Sequence, residues 1–154
     1  WYFKSKDDIL VDLCRLMNKE YIAIFHHFAN QRMPVRELVL KTGERLLDLM
    51  LKESDSYKVF LEFWALSGEN KEIKKALGEV HVAWEEILSY LIKAGIKSGE
   101  IKHGIKVKEF SSAILALFNG LEIVYMVGKV QDVKAVWHMA ISAIFDGIAK
   151  NWRK

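Results

Sequence analysis

Residues 1–10 read Trp-Tyr-Phe-Lys-Ser-Lys-Asp-Asp-Ile-Leu, and the change of character at Ser5 decides how the rest of the chain is parsed. A serine ahead of a helix can accept a hydrogen bond from a backbone N–H in the first turn. Asp8 stands three residues on, where a capping-box acid reaches back, although Asp is weaker there than Glu or Gln. Asp7 and Asp8 also suit the positive end of a helix dipole. Beyond them Ile9, Leu13, Leu16 (or Met17) and Ile24 recur at helical spacing, which predicts a first helix to about Phe28.

The remainder continues in the same style. The chain has 154 residues, 51% hydrophobic and 28% charged, which suits one compact domain with a core of its own and excludes disorder. Cys14 is the single cysteine, so no disulfide forms within the chain and a cysteine-based zinc site is excluded. A net charge of +3 excludes no class of partner. Proline occurs once, at Pro34, glycine nine times, and no stretch alternates like a strand. Leu, Lys, Glu, Ala, Ile and Met dominate, most of them helix formers. The expectation is an all-α protein of six main helices. Pro34 at position N1 opens the second, which runs to about Glu53. Ser54, Asp55 and Ser56 offer a cap for a third over 56–67, ended by Ser67-Gly68. A fourth spans Asn70 to Lys97, Gly99 to Gly104 make a turn, and the last two cover about 107–128 and 132–150.

Segment 110–130 is long enough to cross a bilayer, but it carries Glu122, Asn119, two serines and two glycines. A carboxylate at mid-bilayer is costly, and the other helices are amphipathic, so a core or interface helix is expected and no membrane partner. Ala113, Ala116, Gly120 and Val124 fall at spacings of three and four, as do Ala140, Ala143 and Gly147. Small residues so placed let helices approach closely, either within one subunit or in a four-helix bundle with a symmetry mate. Trp137, Ile141, Ile144 and Ile148 form a bulky stripe beside the second set, continued by Trp152. The sixth helix is thus apolar on more than one face, which leans towards an interface.

Catalytic patterns are missing. HExxH, GxSxG, GxxxxGK[ST] and GxGxxG do not occur. The one Glu-x-x-His, Glu100 to His103, lies in the predicted turn, whereas a di-iron bundle needs two on facing helices. His26 and His27 are adjacent and diverge on a helix. Lys93, Lys97, Lys102, Lys106 and Lys108 around Glu100 read as a solvated helix end. The large aromatics Phe60, Phe63, Trp64, Trp84, Phe118 and Tyr125 are plain core by default, or the lining of a cavity between helices. Glu122 and Asn119 sit one turn apart among them. A carboxyl group there is either bonded inside the core or used for recognition. An alternative reading is a helical-bundle enzyme or metal-binding protein using Glu122, His81 and Glu85, the last two one turn apart on the fourth helix.

The opening run also resembles the hinge of the tetracycline-repressor (TetR) family of bacterial and archaeal transcription regulators. There a Tyr-x-(His/Tyr)-Phe-type sequence ends the DNA-binding helix-turn-helix, and a short Lys-(Ser/Asn)-Lys-(Glu/Asp) run starts the next helix. Ala116-Leu117-Phe118-Asn119-Gly120-Leu121 resembles the family's Ala-x-x-Asp-Gly-Leu signal, with Asn119 in place of Asp. The resemblance implies a TetR-like C-terminal regulatory domain over residues 6–154. Residues 1–5 would be the end of a largely missing helix-turn-helix. It implies a regulator, expected to be a repressor and not an enzyme, that acts in the cytoplasm without metal or cofactor. Trp1, Tyr2 and Lys6 match family positions at the operator, where Lys contacts to phosphate position without specifying sequence. Operator DNA is expected as a partner only together with the preceding helices. The last two helices match the family's dimer bundle, which implies a homodimer with Ala113, Ala116, Gly120, Val124, Ala140, Ala143 and Gly147 at the interface. On the fifth helix the ligand-facing side corresponds to Leu115, Phe118, Asn119 and Glu122, and helix phase adds Phe25, Met50, Leu61, Trp64, Trp84 and Leu88. The effector implied is small and mostly apolar. It carries a cationic or hydrogen-donating group if Glu122 faces it, or is a fatty-acyl chain if Glu122 is tied up internally.

Overall fold

The computed structural model describes residues 5–52, 54–128 and 131–148, with side chains at 54–57 and 60 left aside. Six α-helices follow in chain order: α1 (Lys6–Ala29), α2 (Val35–Lys52), α3 (Ser54–Leu66), α4 (Lys71–Ser98), α5 (Val107–Met126) and α6 (Val133–Ile148). They form the regular structure of an all-α domain. Trp1, Tyr2, Phe60's side chain and Trp152 lie outside what is described.

The helix starts follow from their caps. Ser5 Oγ accepts from Asp8 N at 3.1 Å, and Asp8 Oδ2 accepts from Ser5 N at 3.0 Å, so the capping box closes with Asp. Asn70 Oδ1 accepts from the backbone N–H of Glu72 and Ile73 and begins α4, while Asp132 Oδ1 accepts from Ala135 N at the start of α6. Gly99 ends α4 with φ of 81°, a conformation glycine adopts without strain. Two boundaries differ from expectation. Pro34 stands just before α2 rather than inside it, its carbonyl accepting from Leu38 N. Helix α3 begins at Ser54, two residues early.

Proline offers no side-chain acceptor, so the first N–H groups of α2 need one from elsewhere. Glu100 supplies it from the 99–104 turn. Its two carboxylate oxygens accept from Val35 N (2.9 Å) and Arg36 N (3.0 Å). The same turn grips the end of α6, where Lys102 donates through Nζ to Gly147 O and through its backbone N to Ile148 O. The acid read as lying in a solvated lysine cluster is therefore a cap formed at long range.

Two apolar clusters hold the helices together. The larger joins α2, α4, α5 and α6 around Leu47, Ile92, Ile114, Trp137 and Ile141, and takes in Phe25 from α1. Trp137 packs directly against the α2 backbone at Gly43. A Cβ on Gly43 would come within 2.3 Å of the indole, so only glycine fits there. The indole Nε1–H donates to Leu40 O at 3.1 Å, and the ring meets Phe118 edge-on at 5.5 Å. The smaller cluster joins Leu10 and Cys14 of α1 to Phe63 of α3 and to Ile73 and Leu77 of α4. Asn70 Nδ2 donates to Asp7 Oδ2 at 2.6 Å beside it.

The phase of α1 corrects the sequence reading by one position. Ile9 and Leu16 are 47% and 55% exposed, while Leu10, Cys14 and Phe25 are buried. Apolar residues surround this helix on several sides, so periodicity alone did not identify the inward one. On α6 the buried set is Val133, Trp137, Ile141, Phe145 and Ile148, with Ile144 only half-buried.

Candidate functional site

A cavity of about 110 Å³ lies between the two clusters. Each of five helices gives it one face. From α1 come Cys14, Met17, Asn18, Tyr21 and Phe25, and from α2 Leu38, Val39, Thr42, Gly43 and Leu46. Helix α4 adds Val80, Trp84, Ile87, Leu88 and Leu91. Ile114, Leu115, Phe118, Asn119 and Glu122 come from α5, and Trp137 from α6. On α1, α2, α4 and α5 these positions recur at helical spacing, so each of the four contributes an inward stripe, while α6 contributes Trp137 alone.

Most of the wall is hydrocarbon or aromatic. Phe25 and Trp84 meet edge-on, with ring centres 6.4 Å apart. The Trp84 indole N–H donates to Asn18 Oδ1 at 2.9 Å, which ties α4 to α1 in the cavity wall. Polar groups are few. Glu122 is 5% exposed and Thr42 is 6% exposed. Burial pushes the Cys14 thiol above its ordinary value, outweighing the charge of Arg15, so it behaves as a small hydrophobe here. Among the described lining residues there is no Lys, Arg or His.

Of the positions taken from helix phase, Phe25, Trp84, Leu88, Leu115, Phe118, Asn119 and Glu122 come together on this wall. Met50, Leu61 and Trp64 do not. Met50 is fully buried in the larger cluster, beyond the part of α2 that faces the cavity. Helix α3 packs against the other end of α1 and α4, where Phe63 takes its inward position. Trp64, one residue further round, is turned outward and 42% exposed, and Leu61 is half-buried away from the cavity. The sequence reading missed the α2 wall (Leu38, Val39, Thr42, Gly43 and Leu46) and most of the α1 wall. The smallness of Thr42 and Gly43 in an otherwise bulky stripe is their trace in the sequence, and it does not reveal an unpartnered hydroxyl.

The three groups of the metal or enzyme alternative do not assemble. Glu122 faces the cavity. Glu85 instead accepts from Ser112 Oγ and pairs with Lys108 at 3.6 Å. The Ser112 hydrogen bond, with Lys108 and His81 adding charge, holds the Glu85 carboxyl below its usual range. No three His, Cys, Asp or Glu side chains cluster as a metal site among the described residues.

On the opposite side of α5 and α6 the small residues point outward. Ala113, Ala116, Ala143 and Gly147 are exposed, and Gly120, Val124 and Ala140 are half-buried. A Cβ added at Gly120 or Gly147 would meet nothing within 4 Å, so packing inside this chain does not require their smallness. Ile123 and Met139 lie exposed on the same two helices, and Val127 just beyond the end of α5. Helix α5 meets the length and apolarity a membrane span needs, yet it carries the buried Ser111 and Glu122 and packs on α4 and α6.

An all-helical body with an apolar cavity beside its first helix defines a class of ligand-binding regulatory domains. Residues 35–146 match the family model described as BetI-type transcriptional repressor, C-terminal. The chain belongs to that family, within the TetR class of transcriptional regulators. A "Fatty acid metabolism regulator protein" from Bacillus subtilis (strain 168) is 25% identical over 107 residues, or 70% of this chain. The match spans 54% of that protein, so the chain represents about half the length of this relative. Among solved structures, the transcriptional regulator FadR from Bacillus subtilis in complex with stearoyl-CoA superposes with a TM-score of 0.82 at 22% identity. That superposition covers 96% of this chain and 78% of the other. A TetR-family regulator from a Rhodococcus species gives 0.80 at 15% identity, covering 94% of this chain and 77% of that one. At such identities the superpositions establish the TetR-like fold.

Proposed function

We propose that this chain is the effector-sensing and dimerising body of a transcriptional repressor. Its cavity, of about 110 Å³, takes part of a small, mostly apolar molecule. The single observation that carries the reading is the apolar cavity walled on one side by α1, the helix that follows the hinge-like run. A molecule lodged there touches the element that would join the sensing body to operator-reading helices ahead of it. Residues 1–5 are proposed as the end of that reading unit, with Trp1, Tyr2 and Lys6 at the phosphates. Of these, Lys6 is described, exposed at the first position of α1. The fatty-acid regulator relative and the stearoyl-CoA held by FadR favour an acyl chain as the apolar part. Binding then shifts a population between two head spacings, by no more than its differential affinity for them. Action on DNA in the cytoplasm belongs to the same proposal, as does the lack of an enzymatic role.

Dimerisation is the second half of the reading. It is supported by the outward small residues, Ala113, Ala116, Gly120 and Val124 on α5 with Ala140, Ala143 and Gly147 on α6. At Gly120 and Gly147 an added Cβ would meet nothing within 4 Å among the described residues. Two such helix pairs facing each other make a four-helix bundle.

Native mass spectrometry tests both halves. The expected result is a dimer that gains up to one long-chain acyl-CoA per subunit on titration. No adduct with acyl-CoAs of any chain length would remove the sensing reading. A monomer at micromolar concentration would remove the bundle. The double change Ala116→Glu, Ala143→Glu is expected to give folded monomers.

A further inference from the structure

Resting on the sensing reading above, the position of Thr42 says what chemistry the polar part of the effector carries. Thr42 lies mid-way along α2 and lines the cavity. Its hydroxyl oxygen is fully buried and finds no hydrogen-bond partner among the described residues. Threonine in a helix commonly turns its hydroxyl back to the carbonyl one turn earlier, and this one does not. A buried hydroxyl left without a partner is destabilising, a cost that an isosteric valine would avoid. The rest of the wall narrows the choice of partner. Asn18 Oδ1 is already engaged by the Trp84 indole. The wall carries the carboxyl group of Glu122 and, among its described residues, no cationic side chain to balance an anion. An anionic head brought into this apolar space would be stripped of water without a counter-charge. A neutral carbonyl oxygen, by contrast, accepts one hydrogen bond and brings no charge.

We propose that Thr42 is the hydrogen-bond anchor for a neutral carbonyl on an otherwise apolar effector, an ester, thioester or ketone rather than a free fatty acid. The Thr42 hydroxyl donates to the carbonyl oxygen, and the chain runs along Phe25, Leu88, Leu115 and Phe118.

Titration calorimetry with three probes, methyl decanoate, decanoate and undecane, tests this on the 154-residue chain. At neutral pH the ester is expected to bind more tightly than either of the others. Thr42→Val should weaken the ester about five- to ten-fold, the worth of one hydrogen bond, and leave undecane within about two-fold. Thr42→Ser should retain ester binding. Thr42→Val should also hold or raise the melting temperature of the unliganded protein, which shows that the loss is not one of folding. The anchor is overturned if Thr42→Val binds the ester as well as the unaltered chain does, or if decanoate binds as tightly as the ester. Binding of undecane and ester alike, indifferent to residue 42, would overturn the anchor and keep the cavity. Binding of none of the three would remove the sensing reading together with the anchor.

Discussion

At its first end α1 rests on a cluster of five buried residues, Leu10, Cys14, Phe63, Ile73 and Leu77. At its other end Phe25 is one of seventeen buried residues drawn from α1, α2, α4, α5, α6 and the turn at Ile101. Each fully buried apolar side chain contributes roughly 2 kcal/mol, so among the described residues the two clusters on which α1 rests differ severalfold in size. The smaller cluster is the one next to the hinge-like run. The cavity lies between, with Cys14 and Val80 facing it from the small cluster and Phe25 and Trp137 from the large one. On the sensing reading, an occupant pushes against a stiff wall on one side and a yielding one on the other. Movement then goes to the yielding end.

Perturbing each side in turn can break that contrast. The largest loss is expected from Trp137→Ala, which empties the centre of the big cluster and removes the bond to Leu40 O. Thermal unfolding should show about 4 kcal/mol lost in a single transition of the whole domain. Phe63→Ala should cost about 3 kcal/mol, but with a different signature. Hydrogen exchange is expected to speed up in the first half of α1 and in α3 while Leu91, Ile92 and Ile141 stay protected. Equal acceleration everywhere would mean that the two clusters form one cooperative unit and that the contrast is not functional. Asn70→Ala removes the α4 cap and the bond to Asp7 together, and about 1 kcal/mol is expected, confined by the same measurement to the small-cluster end. The smallest effect concerns pH. The Glu85 carboxyl is held low by Ser112, so its contribution is present above the ordinary carboxylate range. It is lost as pH falls through the lowered folded value. Ser112→Ala should lower the melting temperature slightly at neutral pH and leave it unchanged below the carboxylate range, which flattens that part of the acid-denaturation curve.

Local signals carried most of the fold. Ser5 with Asp8, Asn70 and Gly99 mark helix ends through contacts within one turn, and such contacts are written in neighbouring letters. Residues at Phe118, Asn119 and Glu122 could be placed on one face because α5 has a clear phase. Other features depended on partners far along the chain. The inward side of α1 was misjudged because Ile9 and Leu16 are as apolar as Leu10 and Cys14, and only packing chooses between them. Trp64 suggested a wall residue by its size, but α3 sits at the small cluster and gives its inward position to Phe63. Glu100 looked like part of a charged surface, since nothing near it in sequence reveals that the two free N–H groups of α2 lie opposite. Thr42 could not be singled out because an unpartnered hydroxyl is a property of three-dimensional surroundings, not of a residue type.

Two of the five tryptophans, Trp84 and Trp137, stand in the cavity wall. Their indoles report local polarity and nearby quenchers through the light they emit. Arrival of a hydrocarbon tail beside them should therefore shift the emission spectrum without any attached dye. Replacing Trp64, which is turned outward, with phenylalanine would lower the background while leaving both reporters in place. The domain thus carries a built-in optical gauge of its own occupancy, suited to screening compound collections directly.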